Sequence, residues 1–148
     1  MKAVIQRVKE ADVYIDGDLY SKINKGLLIL LGVCKGDTSE NSKALARKSI
    51  DLRIFADEND KMNLSVKDIE GEVLIISQFT LCSDKGKSGN RPSFASAELP
   101  ERAVLLYEEV INEMKSYYMN EKIKTGIFAA AMEVSLINDG PVTILLDK

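Results

Sequence analysis

The sequence predicts an α+β domain: a mostly antiparallel, curved or barrel-like sheet with two main helices. Three observations lead there. Short β-favourable runs outnumber helical ones, and turn residues separate them. Only two segments carry apolar residues at helical spacing. The 148 residues show no linker, low-complexity tract or internal repeat, and the three prolines are scattered, so residues 1–148 read as a single domain.

The elements follow in order. Residues 3–8 and Val13-Tyr14-Ile15 are β-favourable, and Asp16-Gly17 before residues 19–23 is a strong hairpin signal. Residues 26–33 form an unbroken apolar run, as a strand buried on both faces requires. Asp37-Thr38-Ser39 are good N-cap residues, and Glu40 three after Asp37 suggests a capping box for a helix over 41–52. Arg53-Ile54-Phe55 and Met62-Asn63-Leu64 flank Asp57-Glu58-Asn59-Asp60 as a second hairpin whose acidic turn reads as a solvated loop. Residues 72–81 read as another strand, apolar at Val73-Leu74-Ile75-Ile76. Pro100 opens the clearest helix, in which Ala103, Leu106, Tyr107, Val110, Ile111, Met114, Tyr117 and Tyr118 make one apolar stripe. Strands at 132–137 and 142–146 close the chain.

Composition narrows the chemistry. Hydrophobic residues make up 45% and charged residues 29%, a globular profile. There is no histidine. That removes Ser-His and Cys-His nucleophile pairs, His-ligated zinc and any imidazole base. Cys34 and Cys82 form no CxxC pair and adjoin apolar stretches, so they are expected to be buried reduced thiols. The N-terminus lacks the apolar core of a signal peptide, and the longest apolar run is too short to cross a bilayer. The expectation is a cytoplasmic protein with no membrane association, no metal and no cofactor. A net charge of −3 argues against a general nucleic-acid coat and leaves room for a local basic patch.

Three segments hold candidate chemistry. In Ser77-Gln78-Phe79-Thr80-Leu81, polar groups abruptly end an apolar strand; hydroxyls, an amide and backbone N–H groups there suit a substrate site, although alone the segment reads first as a strand emerging into solvent. Asn138-Asp139-Gly140-Pro141-Val142-Thr143 reads first as a turn, yet a Gly-Pro bond adopts the cis form at modest cost and leaves its carbonyls uncovered. Lys85, Lys87 and Arg91, spaced by Gly86 and Gly89, form a basic loop that fits phosphate contact and plain solvation equally well. It lacks the spacing of a Walker A loop.

Taken together, these segments resemble the D-aminoacyl-tRNA deacylase family from end to end. MKAVIQRV, the glycine-bounded run at 26–33, Arg53-Ile54-Phe55, Lys61-Met62-Asn63-Leu64, Arg91-Pro92-Ser93-Phe94 and Thr125-Gly126-Ile127-Phe128 all match its pattern, and the paired SQFTL and NxGPxT motifs are specific. The resemblance implies the family's small barrel-like α+β fold, working as a homodimer with active sites at the subunit interface. It implies hydrolysis of the ester joining a D-amino acid, or mischarged glycine, to the 3′-terminal adenosine of tRNA. Ser77, Gln78, Phe79 and Thr80 would line the aminoacyl-adenosine pocket, with backbone N–H of the Phe79 region facing the ester carbonyl. Thr80 is the side-chain nucleophile that chemical intuition suggests, but the chain offers it no evident base, which favours activation of water by the RNA 2′-OH. Gly140-Pro141, framed by Asn138 and Thr143, would be cis and enter the partner's site, leaving no room for an L side chain. Met132 would wall the pocket, and Lys85, Lys87 and Arg91 would meet tRNA phosphates, by charge rather than by motif. Ala131 stands where the family often has an acidic residue.

Overall fold

The computed structural model describes residues 1–83 and 90–148. The two β-favourable patches at its start belong to one long strand, β1 (Lys2–Ile15). Its buried residues Ala3, Ile5, Val8, Ala11 and Val13 show the alternation of a strand, shifted on either side of Val8 where its pairing with the last strand is irregular. Asp16 and Gly17 take positive φ angles of 52° and 86° and turn the chain into β2 (Asp18–Ile23). Next come β3 (Gly26–Gly32), α1 (Ser39–Ile50), the short hairpin β4 (Phe55–Ala56) and β5 (Met62–Leu64), and β6 (Glu72–Ser77). After these follow α2 (Pro100–Tyr117), β7 (Ile123–Thr125) and β8 (Glu133–Asp147).

The main sheet runs β2-β1-β3-β6-β7, with β8 along the other edge of β1. β1 pairs antiparallel with β2, β3 and β8, whereas β6 joins β3, and β7 joins β6, in parallel. The sheet curls into a nearly closed barrel, which explains the unbroken apolar runs. In β3 and β6, Leu27, Ile29, Leu31, Val73 and Ile75 face the core beneath α1 and α2. Their alternates Leu28, Leu74 and Ile76 pack inside the curl with Val8, Ala11, Val13 and Ile23. Both faces are covered, so both parities must be apolar.

Several expectations change. The helix α1 is capped by Thr38, whose N–H donates to Asn41 Oδ1 at 2.8 Å. Asp37 is engaged elsewhere: its carboxylate accepts from the Met1 α-amino group and from the Cys34 N–H. The strand beginning at Glu72 ends at Ser77, and Phe79–Cys82 coil into a 3-10 turn. The 138–143 segment is not a hairpin turn between two strands. Both halves of β8 pair with β1 rather than with each other, so the segment is a bulge within one strand. Finally, Cys34 and Cys82 form a disulfide, with Cα atoms 5.5 Å apart across 48 positions of sequence. The parallel pairing of β3 and β6, with Leu31 beside Ser77, delivers both chain exits to one place. Sequence spacing carries no sign of that.

Tyr117 also leaves its predicted place in the apolar stripe. It is exposed, donates to Asp51, and lies under Lys67 and Arg47. No helix among the described residues is long and apolar enough to cross a membrane.

Candidate active site

A cavity of about 680 Å³ opens where β6 hands over to the 3-10 turn. Ser77, Gln78 and Phe79 line one wall and Met132 another, with Phe94 and Phe128 completing an apolar interior. The Gln78 N–H donates to Leu31 O at 2.7 Å, which fixes where the turn leaves the sheet. Its side-chain Nε2 donates to Thr80 Oγ1 at 2.5 Å, so the hydroxyl is oriented by an amide, not by a base. Phe79 is 59% exposed and meets Phe94 edge-on with ring centroids 5.2 Å apart, giving the cavity an aromatic rim.

Tyr107 reaches the cavity from α2 and donates its hydroxyl to Ile75 O at 2.9 Å. Burial pushes its phenol well above the ordinary range, so it stays protonated and is no base. Lys35 and Glu98 are charged lining residues. The Glu98 carboxyl is held below its usual range by the Leu99 N–H, with help from Arg102. Gly126 has a steric duty here. A Cβ on it would lie 2.5 Å from Met132 Sδ and 3.0 Å from Ile76 Cδ1, so any larger residue would make Met132 shift from its place in that wall.

The second motif is built with equal care. On β1, Gln6 faces Thr143 and Val8 faces Asn138, so residues 139–142 bulge out opposite Arg7 alone. The Gly140–Pro141 peptide is cis, and Gly140 has φ +147°, a conformation L residues rarely adopt. Asn138 braces the bulge: Oδ1 accepts from the Val142 N–H at 2.7 Å, and Nδ2 donates to Val142 O at 3.2 Å and faces Thr143 Oγ1 at 3.4 Å. Arg7, whose side chain is only 14% exposed, donates Nε to Asp139 O at 2.8 Å and Nη1 to Ile54 O at 2.5 Å. Gly140 and Pro141 are themselves exposed and do not line their own chain's cavity.

Ser77, Gln78, Phe79 and Met132 therefore come together around one cavity, with Thr80 hydrogen-bonded to Gln78 beside it. Asn138, Gly140, Pro141 and Thr143 form a separate braced bulge. Arg91 is exposed and lies outside the cavity lining, and Ala131 is exposed as well. Lys85 and Lys87 fall outside the described residues. Arg7 is the residue that sequence reasoning missed. Its only signal is a cation between Gln6 and Val8 in the opening strand, a position more often explained by an exposed strand face.

The comparisons agree over the whole chain. The family model for D-Tyr-tRNA(Tyr) deacylase matches residues 4–147. A D-aminoacyl-tRNA deacylase of Thermosipho africanus is 58% identical over 148 residues, covering 100% of this chain and 97% of that protein. Another from Dictyoglomus turgidum is 53% identical over 147 residues, covering 99% and 92%. A solved structure of a c-Myc DNA unwinding element binding protein superposes with a TM-score of 0.95 at 41% identity, covering 100% of this chain and 99% of that one. A probable eukaryotic D-amino acid tRNA deacylase shares the fold, at a TM-score of 0.81 and 14% identity over 99% and 98% of the two chains. With relatives above half identity along its full length, and a cavity formed by the very segment that carries the SQFTL motif, this chain belongs to the D-Tyr-tRNA(Tyr) deacylase family.

Proposed function

We propose that this protein hydrolyses the ester linking a D-amino acid to the 3′-terminal adenosine of tRNA, releasing the free amino acid and a tRNA with a free 3′ end. The observation that carries this is the family match over residues 4–147. The cavity supports it: an apolar chamber with an aromatic mouth and polar groups at the end of β6 suits an aminoacyl-adenosine. Ser77, Gln78 and Met132 bind the substrate. The 3-10 turn opens at Phe79, and the first N–H groups of a helical turn lack partners within it, so this backbone can stabilise the oxyanion formed when water attacks the carbonyl.

No imidazole exists to activate that water, and Thr80 is bonded to an amide. The RNA 2′-OH next to the ester is the remaining nearby group, and we assign it the activating role, with Thr80 contributing orientation. The tetrahedral intermediate then collapses by breaking the bond to the ribose 3′-oxygen. Glycyl esters, which have no side chain to exclude, are accepted by the same logic.

Discrimination falls to Gly140-Pro141, which on this reading enters the cavity of a second copy; its exposure and its place outside the lining of its own cavity support that. The protein then works as a homodimer, a reading supported by the exposed apolar Ile137 and Leu145 on the same strand. Selection by a rigid backbone obstacle rejects L side chains without reading the D side chain. Arg91, and Lys85 and Lys87, are assigned to tRNA phosphates, and the setting is the cytoplasm, where translation supplies the substrate. The test is hydrolysis of D-tyrosyl-tRNA against L-tyrosyl-tRNA by the pure protein. Rapid loss of the D ester alone is expected. Equal hydrolysis of both, or tight tRNA binding with neither ester cleaved, refutes the proposal. Sedimentation is expected to show a dimer; an active monomer refutes completion of the site in trans.

A further inference from the structure

The Cys34–Cys82 disulfide joins two walls of the cavity. Cys82 is the last residue of the 3-10 turn that starts at Phe79 and carries Thr80. Cys34 lies just past β3 between Val33 and Lys35, both of which line the cavity, and it bridges to Ala97, itself a lining residue. The fit between turn and strand is close. A Cβ on Gly32 would stand 2.8 Å from Gln78 O, 3.0 Å from Leu81 Cβ and 3.3 Å from Cys82 Sγ. Apart from that packing, the backbone bond from Gln78 N–H to Leu31 O and the disulfide tie the turn to β3.

Resting on the deacylase reading above, we propose that Cys34–Cys82 is a thiol–disulfide exchange site that gates the active-site turn, with low-molecular-weight thiols as its reactants. Cys82 is completely buried and Cys34 only partly so, which directs attack to the Cys34 sulfur. An incoming thiolate bonds to Cys34 Sγ, the Cys34–Cys82 bond breaks, and Cys82 leaves as a thiolate and takes up a proton. A second thiolate attacks the incoming sulfur of the mixed disulfide and frees Cys34, which is protonated in turn. Two small thiols are oxidised to one small disulfide, and two electrons reduce the protein bond. Oxidised, the bond holds Phe79 and Thr80 in register with the cavity; reduced, the turn keeps its backbone bond at Gln78 and loses the anchor at its far end. A displacement of about 1 Å in such a segment costs up to about 100-fold in rate.

The test poises the intact protein in glutathione buffers from reducing to oxidising and traps it by alkylation. Mass spectrometry then counts free Cys34 and Cys82. D-tyrosyl-tRNA hydrolysis and amide hydrogen exchange over residues 77–82 are measured on the same samples. The bond is expected to open reversibly, with kcat/KM falling about tenfold or more in step and exchange at the turn rising. Cys34→Ser and Cys82→Ala are expected to sit at the reduced values in every buffer; should either fail to fold, the wild-type titration decides alone. A bond that never opens, or one that opens with rate and exchange unchanged, overturns the proposal. So does a redox response that persists in Cys34→Ser. If neither redox form hydrolyses the ester, the deacylase reading fails, and exchange at 77–82 still decides whether the bond gates the turn.

Discussion

Replacing Arg7 with alanine isolates the support of the Gly140-Pro141 bulge. Arg7 makes two hydrogen bonds from a charged donor to backbone carbonyls, Asp139 O and Ile54 O, and its Nε lies 3.5 Å from Asp139 Oδ2. Such bonds contribute about 1.5–3 kcal/mol each. Water can enter the exposed bulge and recover part of that, so the net loss is about 2–4 kcal/mol. For a chain of this size each kcal/mol moves the melting temperature by about 2–4 °C, so Arg7→Ala should melt roughly 5–15 °C lower. Arg7→Lys can satisfy one carbonyl and should fall between. The functional consequence is larger than the thermal one, because Asp139 O immediately precedes the Gly140-Pro141 obstacle. Calorimetry gives the first number, and the ratio of D- to L-tyrosyl-tRNA hydrolysis gives the second. The ratio should collapse toward unity at temperatures where the variant is still folded. Arg7→Ala melting within about 2 °C of the parent, with its stereoselectivity intact, would refute the claim that Arg7 holds the obstacle in place.

Other perturbations test other parts of the site. Thr80→Ala should keep most deacylase activity, within about tenfold of the parent, if the RNA hydroxyl activates water; complete loss in a folded variant makes Thr80 the nucleophile. Gly126→Ala should drive Met132 into the cavity and lower kcat/KM, and adding Met132→Ala should restore much of it; additive losses in this double-mutant cycle refute the steric account. Tyr107→Phe should cost only about 0.5–1 kcal/mol, because Ile75 O keeps the Gly126 N–H at 3.1 Å. The same phenol sets a pH limit. Its folded pKa is raised, so its contribution is fully present below the unfolded value near 10 and is lost as pH climbs above it. Denaturant titrations should show stability falling above about pH 10, with a shallower fall in Tyr107→Phe.

How far the sequence reached varies from element to element. The second helix was legible down to its Pro100 start, because an N1 proline and six buried residues at helical spacing are local signals. The doubly buried strands β3 and β6 were legible because both faces are covered, which leaves no polar parity. Among the N-cap candidates of α1 the sequence could not choose: the capping box falls on Thr38 and Asn41 rather than Asp37 and Glu40, because the Met1 amino group claims Asp37. The site divides in the same way. Ser77 to Thr80 stood out as an abrupt polar end to an apolar strand, and the NxGPxT motif as an unusual turn sequence.

By itself, then, the sequence determined the two helices, most of the strands, the two motifs and the exclusion of imidazole chemistry, because propensity, periodicity, motif and composition are properties of neighbouring residues. Only the tertiary structure decided that Arg7 holds Asp139, that residues 139–142 bulge instead of reversing the chain, and that Cys34 and Cys82 bond. Each of these depends on strand register. A shift of one residue between β1 and β8 turns every side chain to the other face and dissolves the first two arrangements, and the same shift between β3 and β6 dissolves the third, without changing a single local signal.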